Sequence, residues 1–390
     1  MSAQEITLLE LAKGLAREEF LFHYQPKISL LGGRVNGVEA LLRWQRPGGA
    51  MVSPAHFIPL AEATGFITEI SKAMFPRLVS DMQILNDIDS AITVSFNLSS
   101  QDFASPEMVE LIRSAIQSHQ IVADRLQIEL TEASIINSND GNVRNNLNEL
   151  VKLGVRLAMD DYGTGYSSID TLSQWPFSVV KLDQGLIGRM VESEKSTTIV
   201  QASIRMAHQL GISIVAEGIE TSTVYDFLLH AGCTDAQGYW MARPMPLSDF
   251  IEFIGGDHRW SALPAGLIHM AQLDHIQWRK TLIDQVTFLA FNPQGGKGIQ
   301  GLEAEMSPRD CGLGKWYYGL GQEFRGMPPF DRLEAPHRLL HVQGENLIAA
   351  ARSGESRECI TSGLRELTRL SSLVLGLLQE LENEAFFHAR

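Results

Sequence analysis

The sequence predicts an α/β protein, a (β/α)8 barrel followed by an all-α helical bundle. Three observations carry that expectation. Eight short β-rich runs alternate with helical periodicity, a pattern of parallel strands joined by crossover helices, and together they use about 250 residues, as such a barrel does. Most of the runs also end in, or run into, an acidic or amide group. Past Pro244-Met245-Pro246 the apolar spacing becomes helical almost throughout, which predicts a bundle of about 120 residues.

In chain order, an amphipathic helix over Ile6–Phe20 opens the barrel. Strands are expected at Leu21–Ile28, Val35–Trp44, Ala91–Leu98, Leu126–Leu130, Val155–Met159, Ser178–Leu182, Ile212–Ala216 and Ala236–Met241. Helices fall between them, at His56–Ile67, Pro106–Ser118, Val143–Leu153, Thr198–Leu210 and Ser222–His230. Residues 1–255 form the barrel, 256–267 form a junction with Gly255-Gly256 at its start and Pro264 within, and 268–390 form the bundle. Leu364–Leu381, apolar at 364, 367, 370, 374, 377, 378 and 381, is its clearest helix.

Composition narrows the function. The chain is 44% hydrophobic and 20% charged, too apolar for disorder. No apolar run approaches the roughly 18 residues of a membrane helix, and no signal-peptide core is evident. Three cysteines make no disulfide framework and fit a reducing cytoplasm. A net charge of −14 excludes broad DNA or RNA backbone binding. The acidity is concentrated: residues 1–256 hold 18 basic and 30 acidic side chains, and residues 257–390 hold 14 and 16. Such a domain is either heavily solvated or gathers carboxylates around cations.

The strand ends favour the second account. They supply Glu39, Asn97, Glu129 with Glu132, Asp160-Asp161, Lys181 with Asp183, Glu217 and Gln237. The C-terminal strand ends of a parallel barrel share one face, so these groups converge. Clustered carboxylates repel unless cations lie between them, and hard oxygen donors suit Mg²⁺ or Mn²⁺. Asp160 can bridge two ions while Asp161 completes the second, and two ions about 3.5–4 Å apart make a clamp for phosphodiester displacement. By itself, Asp160-Asp161-Tyr162-Gly163 reads as a strand-to-turn junction with Asx caps.

These residues resemble the EAL family of cyclic di-GMP phosphodiesterases over roughly residues 5–255. The motifs are Tyr24-Gln25-Pro26, Glu39-Ala40-Leu41-Leu42-Arg43-Trp44, Asn97-Leu98-Ser99, Glu129-Leu130-Thr131-Glu132, Asp160-Asp161-Tyr162-Gly163-Thr164-Gly165-Tyr166-Ser167-Ser168, Lys181-Leu182-Asp183, Glu217-Gly218-Ile219-Glu220 and Gln237-Gly238-Tyr239. The resemblance implies a TIM-like barrel with an antiparallel first strand and hydrolysis of cyclic di-GMP to pGpG. It implies that Glu39, Asn97, Glu129 and Asp160 hold one metal, and Asp160, Asp161 and Glu217 the other. Lys181, its pKa lowered among cations, orients or deprotonates the attacking water. Glu132 anchors the loop after the fifth strand. Gln25, Arg43, Asp183 and Gln237 serve the substrate, Arg43 through its two-pronged fork. Tyr162, Gln184-Gly185-Leu186 and Trp175-Pro176 depart from the usual pattern, but none removes a metal ligand. The alternative is a catalytically silent cyclic di-GMP receptor with a zinc-stapled helical interaction domain.

In the bundle, His337 and His341 are four residues apart and share one helical face, so both can grip one ion. With His275 and Cys311 they make three nitrogens and one sulfur, a set for tetrahedral Zn²⁺. An i,i+4 histidine pair alone reads as an ordinary helix face. The set His275-Ile276-Gln277-Trp278, Cys311-Gly312-Leu313-Gly314-Lys315-Trp316 and His337-Arg338-Leu339-Leu340-His341 resembles the chemoreceptor zinc-binding family over about residues 268–385. Four ligands close the sphere, which points to a structural or sensing zinc, and the thiolate adds redox sensitivity. Zinc occupancy or Cys311 oxidation is expected to alter turnover in the barrel; the simpler account is a zinc staple. Cys233 and Cys359 read as buried or half-buried thiols. The resemblance also suggests a homodimer, and no membrane partner is expected.

Overall fold

A buried strand must pair every backbone N–H and C=O, and the N-terminal strands meet this demand by closing on one another. The computed structural model describes residues 6–104, 106–132, 134, 141–163, 169–262, 265–291 and 303–388. The motif residues Thr164, Gly165, Tyr166, Ser167 and Ser168 lie outside them. The strands are β1 (Phe20–Ser29), β2 (Arg34–Gln45), β3 (Met51–Val52), β4 (Thr93–Asn97), β5 (Leu126–Thr131), β6 (Arg156–Tyr162), β7 (Val179–Leu182), β8 (Ser213–Ala216) and β9 (Asp235–Ala236). Around the barrel they run β1-β9-β8-β7-β6-β5-β4-β2, with β1 and β2 closing it and β3 a short hairpin edge on β2. β1 is antiparallel to β2 and to β9, and the remaining barrel pairings are parallel. The antiparallel first strand that the resemblance implied is therefore present.

Helices α1 (Leu8–Ala16), α2 (Pro54–Ala63), α3 (Ile67–Ile88), α4 (Glu107–Gln117), α5 (Gly141–Lys152), α6 (Ile169–Gln174), α7 (Gln184–Arg189), α8 (Glu194–Leu210), α9 (Ser222–Ala231) and α10 (Leu247–Gly255) accompany the strands. Three expectations need correction. The opening helix is shorter than Ile6–Phe20, because Thr7 and Glu10 form a reciprocal capping box at its start and Phe20 already belongs to β1. The single helix expected over His56–Ile67 is two, broken at Gly65, whose φ of +72° no helix accommodates. The eighth strand stops at Ala236. Beyond it the Gln237 carbonyl accepts from Ile219 N–H and Trp240 N–H donates to the Ile219 carbonyl, so the chain binds the loop after β8 in place of a longer ladder.

The C-terminal helices are α11 (Ala265–Phe291), α12 (Gly312–Tyr318), α13 (Pro328–Asp331), α14 (Glu334–Arg352) and α15 (Arg357–His388). The long ones, α11, α14 and α15, pack pairwise. Leu282, Val286, Leu340, Leu347, Leu367, Val374, Leu378 and Leu381 are buried among them, and burial of each such side chain contributes about 1.5–3 kcal/mol. Cys233 is buried, but Cys359 is exposed near the start of α15, contrary to expectation. By compactness the chain divides into one unit of residues 1–203, 212–226 and 234–260 and another of 204–211, 227–233 and 261–390. Among the described residues, no helix is long and apolar enough to cross a membrane.

Candidate active site and candidate zinc site

Parallel register sets the height of each functional side chain. Glu39 pairs with Ser95, Asn97 with Glu129, and Thr131 with Asp160, so the ends of β2, β4, β5 and β6 form one rim. Asp160 and Asp161 are neighbours in an extended strand and would ordinarily point to opposite faces. The pairing of β6 with β7 is irregular between Met159 and Tyr162, and Asp161 adopts φ +59°. That kink leaves Asp161 within electrostatic reach of Asp183, Lys181 and Glu39, with its N–H donating to Asp160 Oδ1 at 2.9 Å.

At the centre stands Lys181, 1% exposed. Its Nζ lies 2.5 Å from Glu129 Oε2, 2.7 Å from Glu217 Oε1, 3.3 Å from Glu39 Oε2 and 3.4 Å from Asp160 Oδ1. Burial opposes its charge, but Asp160, Glu129, Glu217 and Glu39 outweigh burial and hold Lys181 well above the ordinary lysine value. As arranged, Lys181 is the counter-ion of four acids; the lowered pKa expected of an amine among cations concerns a different charge balance.

Those acids differ. Burial would raise Glu129, but Lys181 and Lys27 together pull it down to about 2. Burial raises Glu217 well above the carboxylate range, and Asp160 and Glu39 add to the rise while Lys181 opposes it. Burial and Glu129 raise Glu39. One bowl thus holds more acid than its ammonium groups neutralise.

The amide groups complete the bowl. Asn97 Nδ2 donates to Glu39 Oε1 at 2.7 Å, and turning the amide would present its oxygen instead. Gln237 Nε2 donates to Gln25 Oε1 at 3.0 Å and to Glu39 Oε2 at 2.7 Å. Gln237 Oε1 is buried without a protein partner, an acceptor awaiting a donor or a cation. Surplus buried carboxylates, a reorientable amide and this orphaned acceptor fit a pair of hard divalent ions.

A cavity of about 200 Å³ opens over these groups, lined by Gln25, Glu39, Asp160, Lys181, Glu217 and Gln237 among others. A second, of about 240 Å³ and more apolar, shares Leu41 with it and is lined by Arg43, Ile58, Met74, Phe96, Asn97 and Glu129 among others. Arg43 stands at that edge, its Nη1 donating to the Leu42 carbonyl at 2.9 Å. Asp183 sits apart from both cavity linings, with Oδ1 accepting from Leu186 N–H at 3.1 Å to cap α7. Glu132 is 1% exposed just past β5 and acts electrostatically on Tyr162. Sequence reasoning passed over Lys27, Ser95 and Gln127, which lie buried beneath Glu129. A lysine in the β1 run, two residues past Gln25, was the available signal.

In the C-terminal unit, Cys311, His337 and His341 are buried with ligand atoms within 4.8 Å of one another. His337 Nε2 is 3.3 Å from Cys311 Sγ and 3.2 Å from His341 Nε2. His341 Nδ1 lies 3.0 Å from the Met306 carbonyl, which fixes the proton on Nδ1 and leaves Nε2 a bare lone pair. Cys311 Sγ already receives Gly314 N–H at 3.2 Å. Two imidazole nitrogens and a sulfur brought this close make a candidate donor set for a cation, and nitrogen and sulfur donors fit Zn²⁺. Burial lifts the Cys311 thiol to about 11 and lowers His337 to about 3. His275, the fourth expected ligand, lies outside this cluster. It is 2% exposed, with Nε2 2.9 Å from Ser371 Oγ on α15, which supplies the partner a buried imidazole needs.

The barrel and its bowl define a class of TIM-like barrel proteins with a carboxylate-lined site at the strand ends. Residues 9–244 match the EAL domain, and the chain belongs to that family. Residues 275–348 match the chemoreceptor zinc-binding domain. The bifunctional diguanylate cyclase/cyclic di-GMP phosphodiesterase MucR of Pseudomonas aeruginosa is 35% identical over 250 residues, 64% of this chain and 36% of that protein. The cyclic di-GMP phosphodiesterase RocR of the same organism is 32% identical over 250 residues, 64% of each chain. The chain thus spans only about a third to two thirds of these relatives. The solved MucR phosphodiesterase in complex with c-di-GMP aligns with a TM-score of 0.59 at 35% identity, covering 62% of this chain and 98% of that one.

Proposed function

We propose that the barrel hydrolyses one phosphodiester of cyclic di-GMP to linear pGpG with two Mg²⁺ or Mn²⁺ ions. The observation that carries this reading is the convergence of Glu39, Glu129, Asp160 and Glu217 on one buried ammonium beneath an open cavity, in a family whose named relatives include cyclic di-GMP phosphodiesterases. Glu39, Asn97, Glu129 and Asp160 would hold one ion, and Asp160, Asp161 and Glu217 the other. Bound there, the ions supply Lewis acidity and offset phosphate charge.

The chain's own groups do the rest. Water attacks phosphorus, the P–O3′ bond breaks, and the product carries a 5′-phosphate and a free 3′-hydroxyl. Burial disfavours charge on Lys181, so once its carboxylates are offset Nζ can take the proton of that water. Arg43 can fork onto a phosphate, Gln25 and Gln237 offer amides, and the apolar cavity past Leu41 suits a base. Asp183 and Glu132 support α7 and the exit of β5. Incubating the protein with cyclic di-GMP and Mg²⁺ or Mn²⁺ should yield pGpG; tight binding without product supports the silent-receptor alternative.

For the C-terminal unit the reading is one Zn²⁺ on Cys311, His337 and His341, with His275 joining by turning from Ser371. Zinc loss or Cys311 oxidation then alters turnover. Equal turnover for zinc-loaded, zinc-stripped and Cys311→Ala protein leaves zinc a staple. A homodimer, checked by light scattering, and a reducing cytoplasmic setting that keeps Cys311 a thiol belong to the same reading.

A further inference from the structure

A second ammonium lies buried below the bowl. Lys27 is on β1 two residues past Gln25, so strand alternation turns both to the same face. It is 4% exposed. Its Nζ meets Ser95 Oγ and stands 3.3 Å from Glu129 Oε1. Gln127 Nε2 closes the ring, donating to Ser95 Oγ at 2.9 Å and to the same Glu129 Oε1 at 2.9 Å. Ser95, Gln127 and Glu129 are 0%, 4% and 0% exposed. The two oxygens of Glu129 are thereby divided. Oε1 is filled from below by Lys27 and Gln127, and Oε2 faces Lys181 at 2.5 Å.

A buried ion pair is seldom more stabilising than apolar residues of the same volume, so its presence under this acid calls for another explanation. An acid with both oxygens free can chelate a cation through both, and carboxylates take either mode. With Oε1 engaged, only one oxygen remains. A positive charge this close also opposes a cation on the other oxygen. We propose that Lys27 is a positioning residue that reserves Glu129 Oε1, so that Glu129 presents a single oxygen to a divalent ion and the ion is held less tightly than the acids alone would hold it. This rests on the two-ion reading above.

The test is Mn²⁺ titration of the full chain, followed by the paramagnetic resonance of free Mn²⁺, for the native protein and for Lys27→Met, Lys27→Gln and Lys27→Arg. The two neutral variants should bind Mn²⁺ about tenfold tighter while turnover falls, and Lys27→Arg should bind as the native protein does. Lys27→Gln keeps a hydrogen-bond donor without the charge and carries the test if Lys27→Met does not fold. Unchanged or weaker Mn²⁺ binding in the folded neutral variants overturns the proposal. So does a crystal structure of the native protein with Mn²⁺ in which Glu129 chelates through both oxygens or Lys27 has left Oε1. If native protein binds no Mn²⁺, the two-ion reading itself fails, a separate outcome.

Discussion

Lys181 Nζ and Glu129 Oε2 lie 2.5 Å apart inside the barrel, at side-chain exposures of 1% and 0%. The pair is the closest part of a cluster in which one ammonium answers Glu39, Glu129, Asp160 and Glu217. Without divalent ions, then, Lys181 is a structural charge as well as a reactive one.

Lys181→Met should therefore act twice. In ion-free protein it leaves buried acids facing one another, and removing one partner of a buried pair costs about 3–5 kcal/mol. Saturating Mg²⁺ or Mn²⁺ should restore much of that loss, while turnover stays about 10²–10⁴-fold down for want of the proton acceptor. Urea unfolding with and without the ions reads the first effect. Equal ion-free stability of variant and native protein would show that the ammonium is not the counter-ion.

The histidines make the C-terminal unit sensitive to acid. Burial, then Arg279 and His341, lower His275 to about 4. Burial, then His341 and His275, lower His337 to about 3. A depressed folded pKa means that the unfolded chain binds more protons, so stability is fully present above about 6.5 and falls as pH drops toward 4 and then 3. Zinc-free protein should unfold at progressively lower urea between pH 7 and pH 4, followed by helical circular dichroism. A flat midpoint across that range is incompatible with neutral buried imidazoles.

The zinc ligands should rank by their placement. His341→Ala and Cys311→Ala remove members of the convergent cluster and should abolish stoichiometric zinc. His275→Ala removes a ligand that must first turn from Ser371 to reach the ion, and it should retain zinc on the other three at lower affinity, a smaller loss than theirs. Competition with a chromophoric chelator measures both; identical losses for all three variants would place His275 on equal footing.

Gly238 tests the rim. A Cβ there would lie 2.2 Å from the Ile219 carbonyl oxygen and 2.3 Å from its nitrogen, backbone atoms that cannot yield cheaply. Gly238→Ala should cost at least about 1–3 kcal/mol and lower turnover, because Gln237 and Glu217 sit on the two segments it would force apart. Native thermal stability with full activity would show that the loops after β8 and β9 are not clamped there.

Much of this was legible because chain position in a parallel barrel translates into position in space. Each run that ends in an acid or amide contributes to one rim, so Glu39, Asn97, Glu129, Asp160 and Glu217 could be grouped before any distance was known. The i,i+4 pair His337 and His341 was equally direct, since helical repeat alone brings them together. Periodicity reads less well where one pattern ends and another begins. Gly65 splits what looks like one helix, and the run after Ala236 resembles strand although its hydrogen bonds go to a loop.

By itself, then, the sequence determined the barrel, the bundle, and which side chains stand at the strand ends, because these follow from local repeat and order along the chain. Tertiary structure alone decided the electrostatic state of the bowl. Lys27 and Glu129 are 102 residues apart in sequence yet share a hydrogen bond, and Lys181 meets acids from four other strands or their ends. Charge balance depends on distances of a few ångströms between such remote residues, and no spacing rule along a chain encodes them. For the same reason only the packed helices reveal that His275 is held by Ser371 rather than by its expected companions.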